Sequence, residues 1–350
     1  MIDRSPHPVL EAARALARRE RLEGLAGATT LAAIAGGGSN REFFRLAGPS
    51  RTAVVLHQPE EGREIDSYVE IARLLARHGV GAPEIYAVDR EAGIILMEDL
   101  GDVHLEDALG TVSPTEASAL YSRSLDILVE LETSVTESLS RENLLGDRLF
   151  DERTLLGETE YFMREFVEGF CPIPIPGSWE EERRFLAAAL ARERRVFMHR
   201  DFQSRNIMLK DARLRIVDFQ TAHRGPGLYD AASLLKDAYH PVSSPERRTL
   251  LEAFHEKLRS RGVPEERDFS EFYEAFTLAG VQRNLQALAA FVKLGTRMGK
   301  PRFLDSIPNG IDLLEEGVRE SRVLPGLETM IAAIRKRMRS PRGGVSPRRP

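Results

Sequence analysis

The chain has 350 residues, 42% hydrophobic and 29% charged, enough for two packed lobes and ordinary for a protein that folds in water. A single cysteine, Cys171, excludes an internal disulfide and a cysteine-based zinc site, so no oxidising compartment is required and the cytoplasm is the expected location. A net charge of -5 gives no general attraction for nucleic acid, and neither an export signal nor an uncharged run of roughly 20 apolar residues is expected to engage a membrane.

Val9 to Leu25 alternates apolar and charged positions with a helical period, and Gly24 and Gly27 supply the stop, so an amphipathic opening helix is predicted. Two strands follow around the glycine turn Gly36 to Asn40, and a third runs from Thr52 to His57. Ile65 to His78 has a helical apolar face ended by Gly79; Glu84 to Val88 and Ile94 to Glu98 read as a hairpin. Together these segments predict a five-stranded antiparallel lobe with one main helix, residues 1–99.

From residue 100 to 334 the periodicity is mostly helical, with apolar stripes over Pro114 to Leu131, Leu155 to Phe170, Trp179 to Arg194, Pro245 to Arg261 and Phe269 to Leu294. The fold class expected is therefore α+β and bilobal, with a larger α-rich second lobe. Residues 335–350 hold seven basic residues and no acidic ones among Pro, Gly and Ser, which reads as a disordered tail.

The exception to the helical pattern, Phe197 to Val217, carries the chemistry. His199-Arg200-Asp201 with Asn206 five residues after the aspartate has the spacing of a kinase catalytic loop, and Asp218 follows twelve residues later. Phosphoryl transfer from ATP needs a carboxylate near the attacking hydroxyl and oxygen ligands for magnesium. Asp201 suits the first task; Asn206 and Asp218 suit the second, at the edge of a hairpin turning at Asp211-Ala212. His199 is expected to brace the loop. Asp230 is expected either to cap a helix over Ala231 to Ala238 or to anchor the catalytic loop from behind.

The glycine turn would cover ATP phosphates with backbone N-H groups, through Gly37, Gly38, Ser39 and Asn40. The connector around Glu98 and Leu100 offers its backbone to adenine. One part of the kinase template is missing, because no lysine occurs before Lys210. Arg41 or Arg45, on the strand leaving the glycine turn, is the candidate replacement as phosphate-binding cation.

These residues resemble the aminoglycoside phosphotransferase superfamily, which has a protein-kinase-like fold, and within it the bacterial N-acetylmuramate/N-acetylglucosamine anomeric kinases. The resemblance runs from about Gly36 to Leu294. It rests on Gly38 to Arg45, Leu96 to Asp102, His199 to Met208, Val217-Asp218-Phe219-Gln220, Gly225-Pro226, Tyr229-Asp230 and Gly280 to Leu285. Gln203 and Asn284 stand where that branch is expected to carry histidine.

The resemblance implies transfer of phosphate from ATP, with Mg2+, to the C1 hydroxyl of an amino sugar in cell-wall sugar recycling, and a product passed to a sugar-1-phosphate nucleotidyltransferase. It places Gln203 and Arg205 among the sugar-binding residues. Gln282 and Arg283 either line the cleft or make inter-helix contacts. The alternatives are a kinase of the same fold acting on another alcohol, such as an aminoglycoside or choline, and a nucleotide-binding pseudokinase.

Overall fold

The amphipathic opening segment folds as helix α1 (Pro8–Arg19) in a computed structural model that describes residues 8–34, 41–58, 62–264 and 267–339. Val9, Leu10, Ala13, Leu16 and Ala17 form its buried face. The helix is shorter than its periodicity predicts. Arg21 adopts the left-handed conformation (φ 57°), Leu22 N-H closes on Ala17 C=O at 2.8 Å, and a separate turn α2 (Glu23–Ala26) follows.

Strands β1 (Thr30–Ile34), β2 (Glu42–Ala47) and β3 (Thr52–His57) precede helix α3 (Gly62–Arg77), and β4 (Ile85–Asp89) and β5 (Ile94–Glu98) close the sheet. The order is β1-β2-β3-β5-β4, antiparallel throughout. Strand alternation sends Leu46, Val55, Ile94 and Leu96 to a core shared with α1. Leu56, Ile95 and Met97 are buried on the other face, where Tyr68 of α3 donates its hydroxyl to Met97 Sδ at 3.3 Å. Each such fully buried aliphatic contributes roughly 1.5–3 kcal/mol.

Chain order continues through α4 (Leu105–Leu109), α5 (Pro114–Glu130), α6 (Thr136–Glu142), α7 (Glu152–Phe162) and α8 (Trp179–Ala191) to β6 (Arg195–Met198). A tight hairpin follows, β7 (Ile207–Lys210) and β8 (Arg213–Ile216), in which Asp211 and Ala212 both take positive φ, as a two-residue primed turn requires. This hairpin bonds to the sheet-bearing unit, with Leu209 N-H on Val103 C=O at 2.9 Å and Ile216 N-H on Gly81 C=O at 2.7 Å. Among the described residues, one compact unit comprises 8–34, 41–58, 62–104, 138–144 and 206–220.

The other unit holds the described residues 105–137, 145–205, 221–264 and 267–339. Its remaining elements are β9 (His223–Pro226), paired with β6, then α9 (Gly227–Leu235), α10 (Ser244–Ser260), α11 (Phe269–Val292), α12 (Ile307–Ser321) and α13 (Pro325–Arg339). Reciprocal capping boxes start α5 (Ser113 with Glu116) and α11 (Asp268 with Glu271). Helix α11 is buried nearly all round, packing on α7, α9 and α12. The basic segment from Arg335 is helical as far as Arg339, and Arg335 bonds Asp312 and Glu315 of α12. Among the described residues no helix is long and apolar enough to cross a membrane.

Candidate active site

In the helical unit, β6 delivers the chain into the loop that carries Asp201. Two buried aspartates hold that loop by its backbone. Asp230, in the first turn of α9, accepts the His199 N-H at 2.6 Å and the Arg200 N-H at 2.8 Å. Asp237, just past the end of α9, accepts both the Ser204 N-H (2.8 Å) and the Ser204 hydroxyl (2.6 Å), while its other oxygen takes the Tyr239 N-H at 2.9 Å. Of the two roles expected for Asp230, the anchoring one is observed: Pro226 occupies the cap position of α9. Arg200 takes a left-handed φ of 78°, a conformation that costs of order 1–3 kcal/mol and that these anchors over-determine.

Burial pushes the Asp230 carboxyl up to about 8, against the two N-H donors that favour its charged form. Burial likewise raises Asp237, opposed by the Ser204 bonds. His199 is fully buried, and its ring packs edge-on against Phe202 with centroids 5.7 Å apart.

Asp201 is one-third exposed and faces Arg283 of α11, whose Nη2 lies 3.5 Å from Asp201 Oδ1 and donates to Gln203 Oε1 at 2.9 Å. Arg283 Nε donates to Ser233 Oγ at 3.0 Å, and a further bond joins its other nitrogen to Gln286. Gln282, its neighbour in sequence, is turned away: its amide nitrogen bonds Leu155 C=O (2.9 Å) and Glu158 (3.1 Å) inside the α7-α11 contact. Of the two expected roles, Gln282 therefore takes the inter-helix one. Buried Glu158 also accepts the Tyr229 hydroxyl at 2.9 Å, and burial pushes its carboxyl up.

Arg205 is clamped by Glu106 through Nε and Nη2, and its guanidinium lies 3.6 Å above the centre of the Tyr239 ring and 5.5 Å from that of Phe303. Tyr239 in turn packs against Phe291 at 5.3 Å. This aromatic cluster thus already has a cation on its face.

In the sheet-bearing unit, Asn206 and Asp218 lie at the same end of the β7-β8 hairpin, where Val217 N-H donates to Asn206 C=O at 2.9 Å. Asp218 takes φ 61°, and Gln220 Nε2 lies 3.4 Å from its Oδ1. Phe219, the next residue, packs tilted against the Tyr68 ring of α3 with centroids 4.7 Å apart, which fixes the segment against the helix. Burial raises the Tyr68 phenol, the charge of Asp218 raises it further and that of Arg41 opposes. Both charges therefore act on the same hydroxyl.

Arg45 departs from the phosphate role expected of it. Its Nε donates to Asp99 at 2.8 Å, its Nη2 to Asp99 at 3.1 Å, Asp102 at 2.8 Å and Gly101 C=O at 3.2 Å, and its Nη1 to Asp102 at 3.1 Å. Burial pushes the Asp99 carboxyl up, but Arg45 prevails and holds it below the usual carboxylate range. Arg41 donates to Gln58 at 3.3 Å. Gly37, Gly38, Ser39 and Asn40 lie outside the described residues.

At the end of β5, Glu98 receives Lys210 Nζ at 3.0 Å and also Arg215, and Lys210 reaches Asp99 C=O at 2.7 Å. The Glu98 N-H is occupied by Glu84 C=O at 2.8 Å, so it is not offered to a base as expected; Leu100 is buried. Sequence reasoning missed Asp237, Glu158, Glu106, Lys210 and Arg215. For Asp237 a signal existed, since it follows Asp230 by seven residues, about two helical turns.

The sequence pattern of the phosphotransferase enzyme family matches residues 30–269. The N-acetylmuramate/N-acetylglucosamine kinase of Pseudomonas aeruginosa is 30% identical over 300 residues, covering 85% of this chain and 86% of that one. The protein of the same name from Pseudomonas putida is 28% identical, covering 90% and 91%. Among solved structures, a choline/ethanolamine kinase family protein of Mesorhizobium loti shares the fold with a TM-score of 0.57 at 16% identity, covering 94% of this chain and 99% of that one.

Proposed function

Since the chain belongs to the phosphotransferase enzyme family, we propose that it transfers the γ-phosphate of ATP to the anomeric C1 hydroxyl of an amino sugar, N-acetylmuramate or N-acetylglucosamine. The observation that carries this reading is the likeness to kinases named for those two sugars across 85% of the chain. The product, a sugar 1-phosphate, is then a substrate for a nucleotidyltransferase in the cytoplasm.

In this reading Asp201 accepts the proton of the sugar hydroxyl. An anomeric hydroxyl is more acidic than an ordinary alcohol, so a carboxylate of normal basicity suffices, provided it is held in place. Arg283 holds it, and Asp230 and Asp237 fix the backbone on either side. Asn206 and Asp218 offer oxygen donors of the kind magnesium takes, with positions left for phosphate and water. The ion, when bound, neutralises charge on the transferred phosphate.

Arg41 is the better candidate for the phosphate-binding cation, because Arg45 is committed to two carboxylates. A cationic alcohol such as choline is disfavoured: the aromatic surface of Tyr239 and Phe303 is taken by Arg205, whose own charge would repel it. ADP release measured over a panel of hexoses, N-acetylhexosamines, aminoglycosides and choline tests the reading. Turnover confined to non-acetylated or cationic alcohols ends it.

A further inference from the structure

Arg200 stands immediately before Asp201 in the catalytic loop, and its backbone is held in place by Asp230. Its guanidinium lies 5.6 Å from the centre of the Phe150 ring, and the carboxylate that approaches it, Glu158 of α7, stays 3.8 Å away, beyond hydrogen-bonding distance. The side chain is one-third exposed and makes no hydrogen bond among the described residues. Other arginines of the helical unit are committed: Arg194 to Glu132 at 2.6 Å, Arg205 to Glu106 and Arg247 to Glu316.

The surroundings of Arg200 are positive. Burial lowers the His223 imidazole and its bond to Thr221 C=O opposes; the charges of Arg200 and Arg148 lower it further, and that of Asp201 raises it. These groups therefore act on one neighbourhood. Asp201 already faces Arg283, and burial pushes the carboxyls of Glu158 and Asp230 up, which weakens the negative charge set against Arg200.

A guanidinium in this state suits a carboxylate, which it grips with two parallel N-H···O bonds. Of the two sugars in the reading above, N-acetylmuramate carries one, on the lactyl ether at C3, and N-acetylglucosamine has only a hydroxyl there. Arg200 and Asp201 are consecutive residues, so a sugar whose C1 hydroxyl meets the aspartate brings its ring substituents past the arginine.

We propose that Arg200 binds the lactyl carboxylate of N-acetylmuramate and makes the chain select the acidic sugar, with Phe150 backing the guanidinium. The proposal rests on the amino-sugar reading above and names the substituent that decides between its two sugars. Arg200 is a specificity residue in this role, since it touches the substrate away from the reacting hydroxyl.

The test compares kcat/KM for N-acetylmuramate, its methyl ester and N-acetylglucosamine in the full-length wild-type chain, Arg200→Gln and Arg200→Lys. The ester removes the charge and keeps the bulk of the lactyl group. The wild type favours the acid over the ester by about 10–100-fold, the worth of a hydrogen bond to a charged group. Arg200→Gln abolishes that preference, and Arg200→Lys, which keeps the charge and loses the fork, retains part of it. Each ratio is taken within one variant, so partial loss of folded enzyme cancels.

A wild type that turns over acid and ester alike overturns the proposal without any variant. So does an acid-to-ester ratio that Arg200→Gln leaves unchanged, or a fall of equal size for all three sugars, which would put Arg200 on the transferred phosphate instead. Loss of all turnover in both Arg200→Gln and Arg200→Lys overturns it too. These results leave the amino-sugar reading standing if the wild type phosphorylates N-acetylglucosamine. A wild type that phosphorylates neither sugar ends both.

Discussion

Asp237 follows Asp230 by seven residues, two past the end of α9, and the two carboxylates grip opposite ends of one loop, at His199-Arg200 and at Ser204. Helix α9 and the two residues that follow it therefore set the loop's span. Asp237→Ala leaves the Ser204 and Tyr239 donors without their acceptor. A loss of roughly 1–3 kcal/mol in urea unfolding, together with a fall in kcat larger than any change in KM for ATP, is the expected result. Equal stability with unchanged kcat would contradict the anchoring role.

Asp230 adds a pH dependence whose sign follows from its direction of shift. Its folded carboxyl is raised to about 8, above the ordinary value of 3.8, so the folded state binds the proton more tightly than the unfolded chain. The contribution is most favourable below about pH 4 and is lost as pH rises towards 8. Asp230→Asn removes this titration. Melting temperatures from pH 5 to 8, taken as wild type minus variant, should fall with rising pH.

Asp201→Ala should lower kcat by at least 10²–10⁴-fold, the usual worth of a positioned base, while calorimetry still detects ATP binding. An active Asp201→Ala enzyme would move the base to another residue.

The two arginines of the sheet-bearing unit should separate cleanly. Arg41→Ala is expected to raise KM for ATP about tenfold with little change in melting temperature. Arg45→Ala should lower the melting temperature, because Asp99 loses its partner, and leave KM for ATP within about twofold once folded enzyme is quantified. The reverse pattern would restore Arg45 as the phosphate-binding residue.

Asp218→Asn should shift the magnesium concentration needed for half-maximal activity upward by about tenfold or more, since one anionic oxygen is lost from the donor set. A magnesium titration at saturating ATP checks this. An unchanged requirement would remove Asp218 from the metal site.

Much of this architecture was legible before any coordinates. The five strands follow from short alternating apolar runs between turns, and Asp211-Ala212 marks its own hairpin. What was hidden depended on distant partners. Arg45 looks like a spare cation until Asp99 and Asp102, more than fifty residues away, close on it. Gln282 and Arg283 could not be assigned to a face because α11 is apolar nearly all round; only packing turns one inward to Glu158 and the other towards Asp201. Arg335 to Arg339 read as tail by charge, but their helix is held by carboxylates on α12.

The clasp of Lys210 on Glu98 also bears on how this enzyme would answer to chemical labelling. Reagents that deliver an acyl group to an amine beside the ATP phosphates rely on a lysine in the strands covering the nucleotide. Here the first 209 residues contain none, and the first amine to appear is shared between a carboxylate and a carbonyl. A reagent that acylates a lysine within β1 to β5 therefore has no target there.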